Sequence, residues 1–418
     1  MQKRKIFTLV FSSLVVALLV FSLVSCTEDD SPTSPTDNNR LIIGTDPAAL
    51  SARMDYLNEV VEIDSVDTAA TFFKGSQTNL DENEVVITLV AEVTPPEHDG
   101  TSLQATDVSI HGNKAYVSYN VRGETFLGGV DVFSIQDPDN PQLESSVVFT
   151  DTDVNGLYMD GNYLYLASAQ EPVNIDSPAL LERIQLQGGL PTNNSDIIDL
   201  ASYAGTDVTV SSNNIYVTSG ADGGAVTIIR KNNFAVQATY AINDARGVNV
   251  DGDEIAVVAG TPARLIIFED DIDEPVFDYT LTGASIPFSK STVEIAGGKA
   301  IMALGDGGMQ IVCIETGSVV ETFEQPDIPD LDPSLTVTNA ATADKKLLFM
   351  SNGEAGVYMA QSSDRFSSSG CDVDDLAMIG SLRFDDEQSV NHVAYKNGVL
   401  FIASGLGGLK ICSIEEAD

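Results

Sequence analysis

Along most of this chain, apolar residues alternate with polar ones in short runs, and turn-forming residues break the runs at close intervals. The pattern is clearest from Asp107 to Val148, where four strands are predicted: Asp107–Ile110, Ala115–Tyr119, Val130–Ile135 and Leu143–Val148. Each is rich in β-branched and aromatic side chains, which suit a pleated surface. His111-Gly112-Asn113, a loop closing on Gly128-Gly129, and Asp137-Pro138-Asp139-Asn140-Pro141 supply the turns between them. Four strands joined by hairpins make a small antiparallel sheet that cannot cover both of its own faces. Copies set around a ring cover one another, which is a β-propeller.

Copies of the stretch recur to the C-terminus. Their second strands align on Tyr116, Tyr165, Tyr216, Ala256, Ile301, Leu348 and Phe401, at steps of 49, 51, 40, 45, 47 and 53 residues. Seven anchors predict an all-β chain with a seven-bladed β-propeller over residues 85–414. The last copy stops after Lys410-Ile411-Cys412-Ser413-Ile414 with no fourth strand. Val85–Val93 belongs to no other copy, so it is expected to complete the last blade and close the ring, protecting edges that an open array exposes. Glycine pairs 128–129, 223–224, 307–308 and 407–408 precede third strands. A hairpin entry needing positive φ accounts for them, and none is followed by the Lys-Ser/Thr of a P-loop. Ahead of the repeats, residues 46–84 read as an extension: Asp46-Pro47 predicts a helix start, with Leu50, Met54, Leu57 and Val61 on one side.

The N-terminus reads as a targeting segment. Lys3, Arg4 and Lys5 precede an apolar run from Ile6 to Val24, followed by Leu23-Val24-Ser25-Cys26 at its end. The four residues resemble the lipobox of bacterial lipoproteins. The resemblance implies a signal peptide over residues 1–25, lipidation of Cys26 and, in the mature protein, fatty acyl chains such as palmitate in a membrane. The competing reading is an uncleaved transmembrane helix. Residues 26–45, with Glu28, Asp29, Asp30, Asp37 and several Ser, Thr and Pro, have nothing to bury and are expected to form a disordered acidic tether. Acidic residues just after the cysteine also resemble a signal for the outer cell surface, so the outer membrane or cell surface is the expected location.

Charge narrows the partners. The chain carries 62 acidic against 21 basic residues, a formal charge of −41, and loss of Lys3, Arg4 and Lys5 with the leader takes it to about −44. So anionic a surface repels phosphate backbones, which sets nucleic acid aside as a partner. It equally suits solubility in saline surroundings, where salt screens self-repulsion. With Cys26 lipidated, Cys313, Cys371 and Cys412 allow at most one disulfide, and Cys371 can meet either of the others. Tryptophan is absent, which argues against a WD-type repeat.

The segment from Gly128 to Pro141, preceded by Asp107-Val108-Ser109-Ile110-His111-Gly112-Asn113-Lys114-Ala115-Tyr116-Val117, resembles the LVIVD-repeat family of secreted or surface β-propellers, many of them lipoproteins. The likeness is close in the first repeat, recognisable in the second, third, fifth and seventh, and loose in the fourth and sixth. It covers roughly residues 105–414. It implies the propeller fold and adds little about activity.

Candidate chemistry concentrates where first strands begin, since those strands line a propeller's channel. The position nine residues before the anchor reads Asp107, Gly156, Asp207, Gly247, Thr292, Asn339 and His392; one residue earlier it reads Thr106, Asn155, Thr206, Arg246, Ser291, Thr338 and Asn391. One set or the other forms a polar ring at the channel mouth. Asp107, Asp207, Asn339 and His392 suit a cation or small polar ligand there, with Arg246 as an anion contact; equally, converging strand starts need polar side chains to bond free backbone groups and water. Asp151, Asp153 and Asn155 match the first half of a calcium loop, but its twelfth position is Asn162 and Gly156-Leu157-Tyr158-Met159 reads as a strand. The runs Glu269–Glu274 and Asp327–Asp332 read as hydrated acidic loops, and His98 and His111 as exposed turn residues. No nucleophile elbow, dinucleotide fingerprint or CxxC occurs. The chain thus reads as a lipid-anchored, monomeric surface propeller that binds or scaffolds an extracellular protein or glycan through loops such as Gln170–Ser195 and Ser362–Asp375. The alternative is a surface hydrolase or metal-dependent enzyme working through Asp107, Asp207, Arg246 and His392, with Ca2+ as a candidate cofactor.

Overall fold

The repeat around Tyr116 folds as its alternation requires. In the computed structural model Gln104–His111, Lys114–Asn120, Gly128–Ser134 and Gln142–Phe149 lie antiparallel in that order, innermost strand first. The structure describes residues 40–64, 85–171, 177–269, 272–287, 289–373, 375–384 and 388–416. The leader, Cys26 and the tether as far as residue 39 lie outside the described residues.

Six more sheets repeat the plan, opening with Thr152–Asp160, Ala204–Val210, Ala245–Asp251, Val293–Ala296, Thr338–Asp344 and His392–Lys396. Seven blades are therefore present. The last is completed as expected: Val85–Val93 pairs with Leu409–Glu416, from Val85 opposite Glu416 to Val93 opposite Leu409. The core lies between blades. Tyr116 packs with Leu157, Leu164 and Leu166 of the second blade, and across the closing seam Phe401 meets Ala115 and Val117 of the first. Each such large apolar side chain contributes about 1.5–3 kcal/mol by leaving water.

Of the glycine pairs, Gly408 has φ +71° and Gly223 φ +74°, the left-handed turn conformation expected. Gly128 is needed for a different reason: a Cβ there would stand 2.4 Å from the Thr152 carbonyl of the second blade.

Four sequence expectations are corrected. The helix is one turn only, Pro47–Ser51, capped by Asp46, whose carboxylate accepts from the Ala48 and Ala49 amides at 2.9 Å. Met54 and Leu57 belong instead to strand Met54–Val60, which pairs with the outer edge of Val85–Val93. Helical spacing loses there to a strand edge with unpaired amides waiting beside it. The tether also ends early. Leu41–Gly44 adds a fifth strand to the first blade, opposite Ser146 to Phe149, and buried Arg40 clasps Glu182 of the second blade at 2.7 and 2.9 Å and Asp151 at 3.1 Å. Residues 40–60 thus form a belt that touches blades two, one and seven and braces the closure. Third, most of Gln170–Ser195 is not a loop: Ala179–Gln187 and Leu190–Asp199 are the outer strands of blade two.

The fourth correction is one of register. In blade six the forward-facing anchor is Phe349, which packs with Val393 and Leu400 of blade seven, whereas Leu348 faces back to Ile301 of blade five. The alignment on Leu348 was one residue short, because Leu347-Leu348-Phe349-Met350 is apolar throughout and offers no alternation to fix its phase.

Candidate functional site

Five of the seven first strands begin with a bulge. The register skips Thr106, Asn155, Thr206, Arg246 and Asn339 in blades one, two, three, four and six. A skipped residue leaves the ladder and turns its side chain sideways, toward the next blade. There it bonds a backbone carbonyl: Thr106 to Val154 at 2.9 Å, Asn155 to Gly205 at 2.9 Å, Thr206 to Ala245 at 3.0 Å and Asn339 to Val390 at 3.1 Å. Asn391 does the same across the seam, donating to Ala105 at 2.8 Å. This set is a girdle of inter-blade stitches, not a ligand ring.

Asn339 is therefore corrected from the channel to the girdle, as the shifted register of blade six demands. Arg246 is also removed from the mouth. Its guanidinium holds Asp244 at 3.0 and 2.7 Å, the Ser289 hydroxyl at 2.8 Å and the Ile286 carbonyl at 3.2 Å, so it ties blade four to the link that enters blade five.

The following position does face the axis. Asp107, Asp207, Thr292 and His392 line a cavity of about 540 Å3 that runs down the inner strands past Asn249 and Glu294 to Asp251, Asp344 and Lys396. Inner strands have one edge without a sheet neighbour, and side chains of the preceding blade satisfy its amides. Asp107 accepts from Leu157 at 3.0 Å, Asp207 from Val248 at 2.9 Å, Asn249 from Ile295 at 3.0 Å, Thr292 from Ala341 at 3.2 Å and Glu294 from Ala343 at 3.2 Å.

Asp107 and His392 come together, His392 Nε2 lying 3.0 Å from Asp107 Oδ1. A residue missed in the sequence completes the group. Lys290, on the link between blades four and five, reaches over the axis to Asp107 at 3.2 Å and to the carbonyls of Thr106 at 3.0 Å and Asn155 at 3.5 Å. It lies outside any strand repeat, so no periodic argument marks it.

The electrostatics follow from confinement. Burial alone would raise the Asp107 carboxyl, but His392, Lys290 and the Leu157 amide outweigh it and hold the pKa below the ordinary value. Burial, with the charge of Asp107 behind it, pushes Asp207 up to about 7 against Lys290 and two amides. Burial pushes the His392 imidazole down to about 4, Asp107 opposing and Lys290 reinforcing. At neutral pH the imidazole is thus uncharged, its Nε2 facing Asp107 and its Nδ1 without a partner. Glu294 is raised to about 7, again chiefly by burial.

The calcium-loop residues are not brought around one point. Asp151 serves Arg40 and Gln170, Asp153 accepts from the Leu127 amide at 3.1 Å, and Asn155 belongs to the girdle. Thr152–Asp160 is a strand, which alternates its side chains to opposite faces. Among the described residues no group of three or more His, Cys, Asp or Glu is placed to hold a metal ion. Elsewhere, a disulfide joins Cys313 to Cys371, and Cys412 is free and buried.

The chain is a seven-bladed β-propeller. It resembles the solved structure of U3-55K, with a TM-score of 0.55 at 10% identity over 81% of this chain and 99% of that one. It resembles the WD40 β-propeller domain of Doa1, at 0.51 and 14% over 78% and 97%, and a chain of the mitotic checkpoint complex, at 0.53 and 13% over 81% and 97%. At such identities the likeness is one of fold alone. No family model matches the chain, and no curated protein matches it.

Proposed function

We propose that this propeller is a lipid-anchored binding or scaffold module of the LVIVD-repeat type, displayed at the bacterial cell surface, that engages an extracellular protein or glycan with its outer loops. The observation that carries the reading is how the polar residues at the channel mouth are used. Four of the skipped positions and Asn391 bond the next blade, Arg246 is fully engaged in a link, and the Lys290 ammonium lies across the axis. Chemistry needs groups free to meet a substrate, and here those groups hold blades together.

Contacts are assigned to the connection between Gln361 and Ala377. Its described part is fastened by Cys371 to Cys313, by Lys299, whose ammonium donates to the Ser368 and Gly370 carbonyls at 2.8 Å, and by the Phe366 amide on the Lys345 carbonyl at 2.9 Å. A long loop held in one shape loses little entropy on binding.

Two experiments test the reading. Metabolic labelling with an alkyne fatty acid should tag the wild type and not Cys26→Ser, and external protease should shave the tagged protein from intact cells. Cross-linking on cells should then capture a partner that is lost when residues 363–369 are replaced by a short Gly/Ser linker. Turnover of a glycan or ester that disappears with Asp107→Asn would instead favour an enzyme.

A further inference from the structure

The bulges that build the girdle have a second effect at the axis. Thr106 and Asn155 are skipped in the register, so their carbonyls leave the ladder and turn to the channel, where both meet Lys290. The same positions in neighbouring blades lie against the ring: the Thr206 carbonyl is 3.1 Å from where a Cβ would stand on Gly156, and the Ser291 carbonyl 2.6 Å from that on Gly247. Asp107 adds a carboxylate to this collar, and Asp207 lies close enough to feel the charges of both Asp107 and Lys290. The acceptors that face Lys290 are oxygens, contributed by backbone carbonyls and carboxylate, with the His392 imidazole beside Asp107. Such a donor set selects a hard cation.

In the folded chain that cation is a side chain. Lys290 enters from the link before blade five, and its Nζ partners sit 184 and 135 residues earlier, in blades one and two. Among the described residues no strand pairing joins these blades. We propose that the axial collar is a cation-binding site whose resident cation is the Lys290 ammonium, and that without that charge the collar takes a Ca2+ ion. Ca2+ suits it better than Mg2+, because donors arriving from separate blades give a loose, irregular shell rather than a tight octahedron. A covalently held cation also keeps the ring's centre occupied whatever the surrounding salt does, in a chain whose formal charge is −41.

The test uses the soluble chain from residue 27 onward with the belt and all seven blades intact, and compares wild type, Lys290→Ser and Lys290→Met. Both variants should melt lower than wild type in EDTA. Ca2+ should restore most of the loss in Lys290→Ser, with one ion bound per chain at least about tenfold more tightly than any site of the wild type. Tetramethylammonium at matched ionic strength should not restore it. Lys290→Met, whose chain still fills the collar, should gain no such site, and adding Asp107→Asn to Lys290→Ser should abolish it. If Lys290→Ser does not fold in EDTA, refolding in Ca2+ but not in tetramethylammonium reads the same way. Equal responses to Ca2+ by wild type and Lys290→Ser, or no loss of stability in either variant, would overturn the proposal.

Discussion

Glu294 offers the cleanest measure of what the channel does to a charge. Its carboxylate accepts from the Ala343 amide at 3.2 Å and from Thr342, yet burial still lifts its pKa from 4.5 to about 7, with Asp344 adding to the rise. Glutamine at this position keeps an acceptor for Ala343 and removes the charge. Below about pH 4.5 the carboxyl is neutral both folded and unfolded, so the substitution should have little electrostatic effect. From about 4.5 to about 7 the unfolded chain releases the proton and the folded chain retains it, so the wild type loses stability as pH rises. Above about 7 the loss is complete. At 1.36 kcal/mol per unit the shift corresponds to about 3 kcal/mol. Channel water reaches Glu294 in part, so a gain of about 1–3 kcal/mol is expected for Glu294→Gln at alkaline pH. For a chain of this length that is about 1–4 °C in Tm. With no tryptophan to report unfolding, circular dichroism melts at about pH 4.5 and about pH 8.5 are the assay. The variant should match the wild type at the lower pH and melt higher at the upper. An equal difference at both, or a variant that melts lower at the upper pH, would refute the burial argument.

Arg53 forks fully buried Asp131 and also reaches Ser146 at 3.0 Å. Arg53→Met should therefore cost about 3–5 kcal/mol by stranding a buried charge, while Arg53→Met with Asp131→Leu should recover most of it, as read from urea midpoints. Thr206→Val, which deletes the stitch to Ala245 together with the hydroxyl contact to Thr218, should cost about 1–2 kcal/mol, and Asn391→Ala, at the closing seam, about 1–2 kcal/mol; a neutral result for both would leave the girdle without an energetic role. Burial pushes the Cys412 thiol up to about 12, so iodoacetamide at about pH 8 should alkylate it only after denaturation. Rapid labelling of the folded protein would contradict that environment.

Much of the architecture could be read from residue order because its determinants are local. Alternation, turn glycines and the repeat spacing mark each blade independently, so a slip in one leaves the others intact. Closure was legible for a complementary reason: a strand too many at Val85–Val93 and a strand too few after Ile414 can only be each other's partner. The belt was not legible. Leu41–Gly44 and Met54–Val60 are short and carry no repeat of their own, and their strand form depends on edges supplied by residues far away in sequence.

At the site, the sequence located the right turn of the chain but could not say which of two adjacent residues faces the axis. Strand geometry alone assigns neighbours to opposite faces, and one inserted residue exchanges them. The bulges insert one: they send Thr106, Asn155, Thr206 and Asn339 to the next blade and leave Asp107 and Asp207 to the channel. His392 kept its assignment because blade seven pairs without a break from that residue onward. The polar character of both rows then has a single cause. Seven strands converge with one edge unpaired, and each row supplies the acceptors or donors that the neighbouring edge lacks, one row to its carbonyls and the other to its amides. A polar ring at a propeller's mouth is thus a requirement of the fold before it is a sign of chemistry. What exceeds that requirement is the pair of Lys290 and His392 set against Asp107, which no free strand edge calls for.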